Sequence, residues 1–82
     1  MVDFEKTLRD LCLPLCEHPE SLTVKTLNSV NERELLLCVY ADNKDIARLI
    51  GRKGSIASSL RSMMSVAARD EHKRMIVNFE AY

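Results

Sequence analysis

The chain has no tryptophan, and its only aromatic residues are Phe4, Tyr40, Phe79 and Tyr82. Recognition of nucleobases on a flat aromatic platform is therefore not supported. Acidic and basic residues balance at 12 each, and the zero net charge speaks against indiscriminate binding to polyanions. No apolar run is long enough to span a membrane, and no signal peptide is expected, so the expected location is the cytoplasm, with no membrane partner. Three cysteines are an odd number in a chain that is 46% hydrophobic, which argues against a disulfide scaffold and for a reducing compartment. There is no internal repeat, low-complexity tract or linker. At 82 residues the chain is expected to form one domain, 1–82, with a modest core and little room for a catalytic cavity.

There are only two glycines, and both fall in one turn, Gly51-Arg52-Lys53-Gly54. Before it, Ile46, Leu49 and Ile50 recur at helical spacing. After it, Ile56, Leu60, Met63, Met64 and Ala67 do the same. The pattern predicts helix, tight turn, helix. Glycine can take a positive φ, and it has no Cβ to keep a ligand's backbone away. The helix opening at Ser55 presents free N–H groups and a positive dipole end to the turn, a setting that suits phosphate. Arg52 and Lys53 add two charges at the tip.

Charge is unevenly placed. Residues 44–61 carry Lys44, Arg48, Arg52, Lys53 and Arg61 against Asp45, a local +4. Residues 1–20 carry Asp3, Glu5, Asp10, Glu17 and Glu20 against Lys6 and Arg9, a local −3. One end can attract phosphates and the other repel them. Arg48 and Arg61 thus join the turn residues and Ser55 as candidate contacts.

In chain order, residues 3–17 predict a helix with Phe4, Leu8, Leu11, Cys12 and Leu15 on one stripe and Asp3 as its cap. Pro14 conflicts with it and predicts a kink near Leu11 or an early end to the regular helix. Residues 22–27 predict a strand, 28–32 a loop, and 35–41 a second strand. In that strand Leu35, Leu37 and Val39 form one face, while Leu36, Cys38 and Tyr40 form another that must be exposed or covered by something else. Asp42 or Asn43 caps a short helix ending at Gly51. A long helix runs from Ser55 to about Arg69, and residues 74–79 form a last strand with Met75, Val77 and Phe79 facing in.

The turn resembles the signature of the KH domain, a module whose G-X-X-G loop clamps about four nucleotides of single-stranded backbone. The likeness extends through His18-Pro19-Glu20, residues 35–41, Asp45-Ile46-Ala47-Arg48-Leu49-Ile50-Gly51, Gly54-Ser55-Ile56-Ala57 and Lys73-Arg74-Met75-Ile76-Val77. The whole chain is similar to the small bacterial stand-alone KH proteins of the KhpA-like family. The resemblance implies an α+β fold of the type II, or prokaryotic, order α-β-β-α-α-β, with three helices on one face of a three-stranded mixed sheet. It implies a narrow apolar groove beside the turn, with Ile46, Ala47, Ile50, Ile56 and Ala57 near the bases. Many KH domains carry a large aliphatic residue where this chain has Ala57. A single-stranded RNA-binding protein is implied, an RNA chaperone or post-transcriptional regulator often linked to cell-envelope growth, cell shape and division. Homodimers, or pairing with a second, larger KH-containing protein, are implied as well.

Two other classes are distinguishable. One is a protein-interaction subunit of a KH-protein complex, working through the Leu36-Cys38-Tyr40 face or a helix, in which RNA contact is secondary. The other is an enzyme, for which Cys12, Cys16, Cys38, His18 and His72 are the only nucleophile or base candidates. None of these falls in a motif with a partner at the right spacing, so no catalysis, cofactor, metal or small-molecule substrate is expected.

Overall fold

The computed structural model describes residues 3–27 and 31–82. Asp3 caps the first helix, α1 (Phe4–Cys12), its carboxylate accepting the Lys6 N–H at 3.1 Å. Leu8 and Cys12 are buried, and Phe4, Leu11 and Leu15 pack against the same core. The α-helix stops at Cys12, and Leu13–Leu15 continue as a single 3-10 turn with Pro14 near its start. There the missing N–H of proline leaves no hydrogen bond unmade. Of the two outcomes predicted for Pro14, the early end is the one observed.

The remaining α-helices and strands are β1 (Thr23–Leu27), β2 (Glu34–Ala41), α2 (Asn43–Ile50), α3 (Ser55–Arg69) and β3 (Arg74–Ala81), so the order is α-β-β-α-α-β. Residues 28–30 of the predicted 28–32 loop lie outside the described residues. In the sheet, β2 is central, antiparallel to β1 and parallel to β3. A parallel neighbour needs a crossover, and α2 and α3 supply it. Leu37 and Val39 of β2 lie beside Val77 and Phe79 of β3, and Val39 lies beside Val24 of β1. With Leu8, Leu49, Leu60 and Met64 they form the core between the helices and the sheet. Each fully buried leucine there contributes about 2 kcal/mol. Among the described residues no helix is long and apolar enough to cross a membrane.

The opposite sheet face resolves the second row of β2. Cys38, on the face opposite Leu37 and Val39, is only 1% exposed. Tyr40, two residues along on the same face, has the Tyr82 ring stacked on it at a 6.0 Å centroid separation. Lys25 reaches over the Tyr40 ring at 5.7 Å from the other neighbouring strand. The Tyr82 hydroxyl and Thr23 Oγ1 hydrogen-bond at 2.8 Å, pinning this cover. Tyr40 is thus flanked by Lys25 of β1 and by Tyr82, just beyond β3, while Leu36 is half-buried.

One stripe differs from the reading of the sequence. The buried positions of α3 are Ala57, Leu60, Met64 and Ala68. Met63 is 47% exposed and Val66 61% exposed. Apolar residues surround much of this helix, so its periodicity alone left the orientation open by about one residue.

Candidate nucleic-acid interface

The turn is held from both sides. Upstream, Asp42 caps α2, accepting the Asp45 N–H at 2.8 Å. The Asp45 carboxylate is itself buried and accepts two backbone N–H groups, from Glu17 and His18, each at 2.9 Å. The Glu17 hydrogen bond, foremost, holds the Asp45 carboxyl below the usual carboxylate range; burial opposes it, and the His18 N–H adds to the lowering. One turn on, Arg48 pairs with the Glu17 carboxylate. The segment after α1 is therefore fastened to α2, the helix that delivers the chain to the turn.

Ile46 and Leu49 anchor α2 in the core, and the helix ends where Gly51 takes φ 74° and ψ 177°. Only glycine adopts that region readily. Space makes a second demand, because a Cβ on Gly51 would stand 2.7 Å from Cγ1 of Ile56. Residues 52–54 form one tight turn closed by the Gly54 N–H on the Gly51 carbonyl at 3.2 Å. Lys53, at φ 56°, and Gly54, at φ 76°, are both left-handed. Nothing lies within 4 Å of a Cβ built on Gly54, so its backbone faces open space. No side chain caps α3, which starts at Ser55.

The twelve residues singled out from the sequence fall into four groups. Arg52, Lys53 and Ser55 are exposed at the turn, with Gly51 and Gly54 between them. Ala47 is exposed, Ile50 is 38% exposed, and Ile56 is half-buried against Gly51, so these flank the turn at the surface. Ile46 and Ala57 are buried, Ala57 to 2% exposure, and lie in the packed layer beneath. Of the two outlying arginines, Arg48 is engaged by Glu17. Arg61 donates from Nε to the Val77 carbonyl at 3.0 Å and lies over the Phe79 ring at 5.4 Å.

Sequence reasoning missed Glu17 as the partner of Arg48, Val77 and Phe79 as those of Arg61, and Asp45 as the buried acceptor that fastens α2. An acid three residues after a capping acid was the one available sign for Asp45. The others join positions 16 to 31 residues apart, for which no local pattern exists.

The family profile described as KhpA/KhpB, KH domain, matches residues 5–79. The RNA-binding protein KhpA of Clostridium perfringens is 29% identical over 63 residues, 77% of this chain and 81% of the relative. The RNA-binding protein KhpA of Clostridium acetobutylicum is 26% identical over 73 residues, 89% and 95% of the two chains. That of Caldanaerobacter subterraneus is 24% identical over 70 residues, 85% and 91%. The match spans all but the first residue of α1 and the last two of β3, and the chain belongs to the KhpA/KhpB family of KH-domain proteins.

Proposed function

We propose that this protein binds single-stranded RNA in the cytoplasm, clamping the phosphate backbone at the 51–54 turn, and serves as an RNA chaperone or post-transcriptional regulator. The observation that carries this reading is the turn itself: two exposed cations between glycines, with unobstructed space in front of Gly54. Phosphates would be held by backbone N–H groups of the turn and the start of α3, and neutralised by Arg52 and Lys53. The left-handed Lys53 supports it, because strain of this kind is retained where the backbone has work to do. The relatives named RNA-binding proteins support the ligand class. The mechanism is positional, and no bond is made or broken.

A module of this size neutralises few phosphates, so its affinity is on the order of micromolar at physiological salt. Pairing with a second copy, or with a larger KH protein, raises it by avidity. The exposed Met63 and Val66, one turn apart on α3, favour such pairing and keep a protein-interaction role as the second reading.

Fluorescence polarisation with short RNA and matching single-stranded DNA, at two salt concentrations, tests the clamp. Wild type is compared with the Arg52→Asp/Lys53→Asp variant. Salt-dependent binding that the folded variant loses supports the turn as the clamp. Equal binding by both proteins, or none by wild type, overturns it.

A further inference from the structure

Arg61 is seven residues beyond Gly54, close to two helical turns, and so shares the turn's side of α3 roughly 10 Å along the axis. Helical side chains lean toward the N-terminus of their helix, which here is toward the turn. The guanidinium is fixed in two ways. Nε donates to the Val77 carbonyl at 3.0 Å, and the group lies over the Phe79 ring at 5.4 Å. Both partners belong to β3, an end strand of the sheet. Arg61 is nonetheless exposed, and its two Nη groups have no protein partner among the described residues.

We propose that Arg61 reads one base of the bound strand, selecting a base that offers two adjacent hydrogen-bond acceptors on one edge. The inference rests on the single-strand clamp proposed above. A mere phosphate contact needs only charge, and Arg52 and Lys53 supply that from the tip of the turn. Arg61 differs from them in being oriented: its plane is set by a carbonyl and a ring, and its outer donors remain available. A planar, oriented fork suits a pair of in-plane acceptors. Guanine presents such a pair at O6 and N7, the commonest arginine target on a base. Cytosine presents one at O2 and N3. Adenine and uracil alternate donors and acceptors along their edges and present none.

The test uses fluorescent RNA hexamers: all uridine, or with one central adenosine, guanosine or cytidine. Wild type is expected to bind the guanosine hexamer, the cytidine hexamer or both about tenfold tighter than the all-uridine and adenosine hexamers. Replacing guanosine with 7-deazaguanosine removes N7, so its effect separates guanine reading from cytosine reading. Arg61→Lys keeps the charge and loses the fork, and is expected to bind all four hexamers alike. A circular-dichroism melt checks that the variant is folded. Equal binding of the four hexamers by wild type overturns the proposal without reliance on any variant. So does an unchanged preference in folded Arg61→Lys. If Arg52→Asp/Lys53→Asp abolishes binding while Arg61→Lys retains the wild-type preference, base reading by Arg61 fails and the clamp stands. If the double variant binds as wild type does, the clamp fails.

Discussion

The Asp45 carboxylate accepts the backbone N–H of His18 at 2.9 Å and so ties the end of the first helical segment to the helix that enters the turn. The second carboxylate oxygen takes the Glu17 N–H at the same distance. A buried acceptor facing two donors is worth most when both its oxygens are used and it is ionised.

Asp45→Asn should therefore destabilise the fold. An amide offers one acceptor oxygen, and its NH2 group would face a backbone donor at a buried site. The expected change is a fall in melting temperature of about 5–10 °C at neutral pH. The pH dependence has a fixed sign. The folded-state pKa is lowered from 3.8, so the stabilisation is complete above that value and is lost as pH falls through the folded-state pKa. Thermal melts from pH 7 to pH 2 should show a shallower acid loss in Asp45→Asn than in wild type. Parallel profiles would mean that Asp45 is not a source of the acid sensitivity.

Gly51 and Gly54 should respond differently to alanine. At Gly51 the new methyl meets Ile56 at 2.7 Å, and the backbone lies in a region other residues avoid. Gly51→Ala should cost about 3 kcal/mol, enough to lower the melting temperature by more than 10 °C. At Gly54 the methyl meets nothing within 4 Å and only the left-handed φ of 76° is strained, so Gly54→Ala should cost about 1 kcal/mol. In the proposed clamp its methyl would stand where a ligand's backbone approaches. Gly54→Ala should thus remain folded at 25 °C while losing RNA affinity severalfold, as melts and polarisation titrations on the same samples would show.

What could be read from the sequence was local. The caps at Asp3 and Asp42, the end of α2 at Gly51 and the start of α3 at Ser55 each follow from residues within one turn of the boundary. The basic tip of the turn is equally local, since Arg52 and Lys53 have nowhere to bury. What could not be read depends on residues brought from afar. On the open sheet face the Tyr82 ring stacks on Tyr40, a contact between positions 42 residues apart that no local pattern announces. By sequence Arg61 is one more cation in a basic segment, and its setting comes from Val77 and Phe79 of a distant strand. Ala57 could be assigned to the groove by resemblance, yet its burial depends on how α3 rolls against the sheet, and the apolar letters around that helix do not fix the roll.

The cysteines should be graded in reactivity. Cys12 is buried, and burial, reinforced by Cys16, pushes its thiol up to about 12. Burial also raises the half-buried Cys16, with smaller contributions from Asp45 and Asp42. Cys38 is buried beside Tyr40. Thiolate is the reacting species, so an aromatic disulfide reagent at pH 8 should label Cys16 first and slowly, and Cys12 and Cys38 only on unfolding. Mass spectrometry of partly labelled protein would check the order, and rapid loss of all three thiols in the folded state would contradict it.

Lys53 and His72 are the two non-glycine residues with positive φ among those described, both at 56°. His72 closes the end of α3: its N–H bonds the Arg69 carbonyl at 3.0 Å, and the Lys73 N–H bonds the Ala68 carbonyl at 3.1 Å. This is the helix-ending arrangement in which glycine is usual. His72→Gly should stabilise the protein by about 0.5–1 kcal/mol, since relief of the left-handed strain exceeds the extra freedom of glycine in the unfolded chain. Lys53→Gly relieves the same strain and should raise the melting temperature by a similar few degrees. The two variants should part in binding. His72 lies at the far end of α3 from the turn, so His72→Gly should leave RNA affinity unchanged. Lys53→Gly removes one of two charges at the tip, and should weaken binding severalfold and flatten its salt dependence by about one charge. If both variants bound RNA like wild type, Lys53 would be strained without a binding role, and the clamp would rest on Arg52 and the backbone alone.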